Sequence, residues 1–148
     1  MSQNTKDITV ADPKAAITEW YAKLSQYCAS VDYDSTQAIF ADDVLSFGTR
    51  ADIVSGLGPL QKNQWEGIWP NIQNFQINMD SIHYGGDAEN AWGIATWTST
   101  GFHEDGTSFH RPGRATVILE RRDGKWLSVH THFSLNPGTP PRTYGRKS

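Results

Sequence analysis

The segment from Arg114 to Pro137, RATVILERRDGKWLSVHTHFSLNP, constrains the fold more than any other stretch of the chain. Two runs rich in Val, Ile, Leu, Thr, Phe and Trp flank Arg122-Asp123-Gly124-Lys125, and Asp-Gly between such runs is a strong hairpin signal. A long antiparallel hairpin is therefore predicted. Two strands alone cannot bury an apolar face stably in water, so the rest of the chain must supply further strands and a helical layer.

The upstream sequence offers both. Asp12 followed by Pro13 has the order of an N-cap and a first helical position. Ile17, Trp20, Tyr21, Leu24, Tyr27, Cys28 and Val31 then recur at helical spacing, which predicts a helix with one apolar, aromatic stripe. Tyr33 to Phe40 reads as a second helix, with Ala38, Ile39 and Phe40 packing and Asp42-Asp43 at its exit. Val44 to Phe47 and Ile53-Val54 read as a small hairpin around Gly48-Thr49-Arg50. A third helix follows Gly58-Pro59, carries Leu60, Trp65, Ile68 and Trp69, and stops at Pro70.

From Ile72 onward the chain is strand-like. One strand is expected from Ile72 to Tyr84, closed by the turn residues Gly85-Gly86-Asp87, and another from Ala91 to Phe102. In the second, alternation puts Ala91, Gly93 and Ala95 on the face of Trp97, which leaves room above that face. His103 to Pro112 reads as a polar connection into the hairpin. The fold class is α+β, with three N-terminal helices packed on a strongly curved mixed or antiparallel sheet to make a cone with an open mouth. The expected boundaries are a flexible leader 1–12, one domain 13–137 and a mobile basic tail 138–148, with no repeat and no internal linker.

Composition narrows the function. A formal net charge of -3 and a pI near 5.9 argue against a nucleic-acid partner, for which a basic face would be expected. Six Trp, five Tyr and six Phe in 148 residues point to a core or cavity built from rings. Cys28 is the single cysteine, which favours a reducing compartment. The polar leader MSQNTKDITV has no apolar targeting core, and no apolar run reaches the ~18 residues of a membrane span. A cytoplasmic location without a membrane partner is expected.

Arg121-Arg122-Asp123-Gly124-Lys125-Trp126, with Val129-His130, His132, Ser134 and Pro137, resembles the end of the association (hub) domain of calcium/calmodulin-dependent protein kinase II. Gly56-Leu57 with Glu66-Gly67-Ile68-Trp69, and Gly86-Asp87 with Ala91, also look like that domain. Phe40-Ala41-Asp42-Asp43 is similar to a segment of ketosteroid isomerases and SnoaL-like proteins. All belong to the NTF2-like superfamily, and the resemblance covers roughly residues 13 to 137. It implies a free-standing, cone-shaped member with a ligand pocket and assembly into a homodimer or a higher homo-oligomer.

Site residues carry over only in part. Ungapped matching to the isomerases puts their Asp base on Gly48 and their Tyr donor on Leu24. Tyr21 or Arg50 comes in only with a shift of a few positions, and Asp52 is the nearby acid. Matching to the hub domain puts its three carboxylate-binding arginines on Trp97, Val117 and Phe133 and its His on Gln61, and retains its closing Trp as Trp69. The pocket implied is hydrophobic, walled by Tyr21, Leu24, Trp65, Trp69, Trp97, Val117 and Phe133. The expected function is binding of a small, largely apolar ligand without a cofactor. The alternative is a cofactor-independent isomerase, lyase or hydrolase acting on a cyclic metabolite.

Four polar residues remain. His130 and His132 stand two apart on one strand and leave the same face as Trp126 and Ser128 under strict alternation. Such a pair can ligate a metal if His83, His103, His110 or Glu120 converges on it, but no third ligand is specified and no metal is expected. With Phe133 in the cavity, alternation sends both histidines to the convex face as interface residues; a bulge would instead turn His132 inward. Arg114 shares the parity of Thr116 and Ile118, as a structural arginine or a ligand contact. His83 shares the parity of Phe75, Ile77 and Met79, at a cavity rim or in the core.

Overall fold

The computed structural model describes residues 11–49 and 52–145. Helix α1 spans Pro13–Ser30, and the Asp12 carboxylate caps it by accepting from the Lys14 N–H at 3.3 Å. Helix α2 is the single-turn segment Tyr33–Gln37, capped by Asp32. It ends three residues before the predicted Phe40, because Phe40 opens strand β1, Phe40–Phe47. Asp42 and Asp43 thus lie within an exposed stretch of strand rather than at a helix exit, and Asp43 pairs with Arg122 at 2.9 Å. Strand β2, Ile53–Ser55, completes the predicted small hairpin.

The third helix, α3 (57–71), is not uniform. It begins as an α-turn at Leu57–Leu60, widens into π geometry at Gln61–Trp65, returns to α at Glu66–Ile68 and closes as a 3-10 turn at Trp69–Asn71. The single strand expected over Ile72 to Tyr84 is two, β3 at Gln73–Ile77 and β4 at His83–Gly86, separated by a 3-10 turn at Met79–Ser81. Strand β5 is the long Asn90–Phe102, and the polar connection contains a short strand β6, Ser108–His110, hydrogen-bonded back onto β5. Strands β7, Gly113–Arg122, and β8, Lys125–Leu135, form the predicted hairpin. Its turn residues Asp123 and Gly124 both have positive φ, 52° and 78°, as the two-residue turn requires.

The eight described strands make one mixed sheet in the order β2-β1-β8-β7-β5-β3, with β4 and β6 also on β5 and β1 parallel to β8. One face carries the helices. Ala91, Ala95 and Ala115 give that face a shallow floor together with Gly93, where an added Cβ would lie 2.5 Å from Ile17 Cγ2. What occupies the room above the small residues is therefore α1, whose Ile17, Trp20 and Tyr21 are fully buried. The Trp20 indole donates to the Ile39 carbonyl at 2.9 Å and fixes α1 against the start of β1.

A bulge in β8 decides which side chains face the helices. Ile118 pairs with His130 but Leu119 pairs with Ser128, so Val129 is an extra residue on β8. Trp126 and Ser128 before it and Thr131 after it all point inward and are buried. His130 and His132 consequently part from Trp126 and Ser128, contrary to strict alternation. At the C-terminus, the segment expected to be mobile is held as far as Tyr144. Thr143 is buried, its hydroxyl donates to the Asn71 carbonyl at 2.8 Å and accepts from the Phe102 N–H at 2.9 Å. Gly93→Val, which drives a branched side chain into Ile17, should lower the unfolding free energy by about 1–3 kcal/mol in urea titrations.

Candidate ligand cavity

Between α1, α3 and the concave face of the sheet lies a cavity of about 80 Å³, several times the space one water needs. Its wall is mainly aromatic. Trp65 and Trp69 stack with ring centroids 5.1 Å apart and planes 15° apart, and Phe40 meets Trp65 edge-on at 5.0 Å. On the sheet side Trp97 lies between Phe75 at 5.5 Å and Phe133 at 6.3 Å. Gly113 makes this possible, since an added Cβ there would fall 2.2 Å from Trp97 Cζ2.

Of the seven wall residues expected, Leu24, Trp65, Trp69, Trp97 and Phe133 line the cavity. Tyr21 and Val117 do not. Val117 is fully buried on the stretch of floor covered by α1. Tyr21 is an anchor for that helix: its hydroxyl lies 3.1 Å from the Gly93 carbonyl oxygen and 3.2 Å from that of Ala115, and donates to this pair across β5 and β7. Burial pushes the Tyr21 pKa well above its usual value.

The polar candidates fall outside the cavity. His130 Nδ1 lies 2.9 Å from the Leu45 carbonyl oxygen, which can only accept, so that nitrogen carries the proton. His132 packs on Phe47 with centroids 5.1 Å apart, on the convex face. The bulge is present, yet it turns Trp126 inward and leaves His132 outside. His83 is exposed on β4 opposite Ile94, neither core nor rim, because the turn at Met79–Ser81 separates it from Phe75 and Ile77. Arg114 is exposed and donates from Nε to the Ser134 hydroxyl at 3.2 Å. Asp52 is exposed and is not in the wall, and Arg50 lies outside the described residues. No group of three or more His, Cys, Asp or Glu side chains able to hold a metal converges among the described residues.

Beside Thr49 and Thr131, two long polar side chains in the wall were not anticipated. Arg111, in the supposed polar connection, is 2% exposed and reaches into the cavity wall. Its backbone N–H and C=O both pair with Ser99 at 2.9 Å, which extends the β5–β7 register by one inward position. Arg111 thus shares the parity of Gly113, Ala115 and Val117, a signal legible in the sequence once the strand is extended past Pro112. Its guanidinium donates to the hydroxyls of Ser99 and Thr49, both at 3.3 Å, and stands over the Trp97 ring 5.4 Å from the centroid. Gln64 is the second. The π-turn of α3 points it inward, while Gln61, the residue matched to the hub histidine, donates to Glu66 near the surface. At Gly48 the site of a side chain is occupied by the Gln64 amide, whose Oε1 lies 2.1 Å from an ideal Cβ there. A side chain at the position matched to an isomerase base would have to displace the Gln64 amide. Cys28 also lines the wall, and burial raises its thiol pKa, so it stays protonated.

The family model of the SnoaL-like domain matches residues 14–137. The chain belongs to this family. The structure of this SnoaL-like domain resembles a putative calcium/calmodulin-dependent protein kinase II association domain from Xanthomonas campestris, with TM-score 0.71 and 21% identity over 94% of this chain and 99% of that one. It also resembles an NTF2-like superfamily protein from Salmonella enterica serovar Typhimurium, with TM-score 0.72 and 18% identity over 86% and 93% of the two chains. A putative dehydratase of the NTF2-like family from Streptomyces avermitilis gives TM-score 0.71 and 14% identity over 84% and 97%. At these identities the likeness establishes the NTF2-like cone and nothing finer. A comparison with curated proteins gives no match.

The Tyr21 anchor sets an alkaline limit on stability. Its folded pKa is raised, so the contribution is complete below the unfolded value of 10.0 and is lost as pH rises above it, where the unfolded chain ionises first. Tyr21→Phe should therefore flatten the fall in unfolding free energy above pH 10, measured by urea titration between pH 8 and pH 11.

Proposed function

We propose that this SnoaL-like domain binds a small, largely apolar molecule in its cone and assembles as a dimer through the convex face of its sheet. The observation that carries the first part is the cavity itself: a ring-lined space beneath α3 with few polar groups in its wall, the usual composition of a small-molecule site. An acid–base reaction finds less support. Among the described residues the wall holds no Asp, Glu or His, and its one thiol is kept protonated.

The second part rests on two rows of outward side chains that cross the sheet. One runs Leu45, His130, Ile118, Trp92, and the other runs Phe47, His132, Thr116, Ile94, His83. Leu45, Trp92, Ile94 and Ile118 are each 39–49% exposed, and apolar side chains gathered in this way mark a contact surface. The similar Xanthomonas campestris protein is named an association domain, which agrees with assembly.

Titration with a panel of small neutral and anionic aromatics, followed by tryptophan fluorescence, should show saturable binding. Phe133→Ala should weaken it by about tenfold or more; no saturation with any member defeats the pocket reading. Light scattering on the eluting protein should give a dimer mass, and Ile118→Asp should give a monomer. A wild-type chain that stays monomeric at high concentration rules out the convex-face interface.

A further inference from the structure

Two buried donors in the cavity wall have no acceptor. Gln64 Nε2 and Trp97 Nε1 make no hydrogen bond, and their residues are only 4% and 1% exposed. Both residues line the cavity, Gln64 from α3 and Trp97 from β5. Buried polar groups are nearly always paired, so two unpaired donors in one wall mark where a ligand's acceptor belongs.

Their neighbours hold these groups in place without satisfying them. An ideal Cβ on Gly48 would lie 2.1, 2.3 and 2.5 Å from Gln64 Oε1, Cδ and Nε2. Such nearly equal distances are those of an amide lying with its face across Gly48. Its edge, with one donor and one acceptor, is then turned away from that backbone. Arg111 is already engaged: it donates to Ser99 and Thr49 and stands over the Trp97 ring, which it helps to orient.

The edge of a side-chain amide is complementary to the edge of another amide, donor to acceptor and acceptor to donor, and exchanging Oε1 with Nε2 keeps that pattern. A ketone or a carboxylate offers acceptors only and sets an oxygen against the Gln64 oxygen. We propose that the ligand is a small neutral aromatic amide, a primary carboxamide or a lactam. Its carbonyl oxygen, with two lone pairs, accepts from Gln64 Nε2 and Trp97 Nε1; its N–H donates to Gln64 Oε1; its ring lies against Trp65, Trp69 and Phe133. The assignment rests on the pocket reading above and adds the head group.

Four compounds of one shape provide the test. Benzamide, acetophenone, α-methylstyrene and benzoate share the ring and the outline of the head, and differ only in what that head donates and accepts. In fluorescence titrations at neutral pH, benzamide should bind at least about tenfold more tightly than α-methylstyrene and about threefold more tightly than acetophenone. Gln64→Met, close in volume, should cut benzamide affinity about tenfold and leave α-methylstyrene unchanged. In the amide spectrum, the NH2 pair that Gln64→Met removes and the indole signal that Trp97→Phe removes should move downfield with benzamide and not with α-methylstyrene. If α-methylstyrene binds as tightly as benzamide, the head-group assignment is wrong and the pocket reading survives. Acetophenone equal to benzamide, or benzoate tighter than it, overturns the amide in favour of a bare acceptor or an anion. If none of the four binds, both readings are overturned. Should Gln64→Met fail to fold, the four wild-type titrations still decide the question.

Discussion

The close approach of α1 to the sheet is the contact on which the rest of the molecule depends. Gly93 and its alanine neighbours remove the side chains that would hold the helix off, and the Tyr21 hydroxyl then fastens it to carbonyls on β5 and β7. Non-directional burial sets the strength of this contact, and the buried hydroxyl sets its register. With α1 seated low over one half of the floor, the other half stays uncovered beneath α3. The cavity is the space left over, which is why Val117, under the helix, packs in the core while Trp97 and Phe133 form a wall.

Two local irregularities then define the contents of that space. The π-turn in α3 adds a residue to one helical turn and aims Gln64 inward where a regular helix would present a different side chain. The bulge at Val129 inverts the parity of β8, so that Trp126 and Thr131 both face inward although their positions differ by an odd number. Without it, burying Trp126 would place His130 and His132 inside the cone. With it, the histidines join an apolar band on the outside, and the sheet has one face for the helices and another that carries exposed Leu45, Trp92, Ile94 and Ile118.

The polar end of the cavity follows from the same economy. Arg111 occupies an inward position just beyond the regular part of β7, where Pro112 interrupts the ladder but not the register. Its charge is taken out of water and held against hydroxyls and the face of Trp97. A charge buried in that way carries a large desolvation cost, which such contacts offset in part.

The sequence by itself determined the hairpin, the start of α1, the buried stripe on that helix, and the cone that the family resemblance implied. Each is written in spacing between neighbours a few residues apart: Asp-Gly between apolar runs, Asp-Pro before a period of 3.6, small residues alternating with Trp97. Leu24, Trp65, Trp69, Trp97 and Phe133, named from helical spacing and from resemblance, line the cavity. The tertiary structure alone decided the parity of β8, the inward turn of Gln64, the exclusion of Tyr21 and Val117 from the wall, and the entry of Arg111. The reason is physical. A bulge or a π-turn shifts everything after it by one residue with little local sequence mark, and which half of a sheet a helix covers is settled by packing between segments some 70 to 90 residues apart, as the Tyr21 hydrogen bonds to Gly93 and Ala115 show.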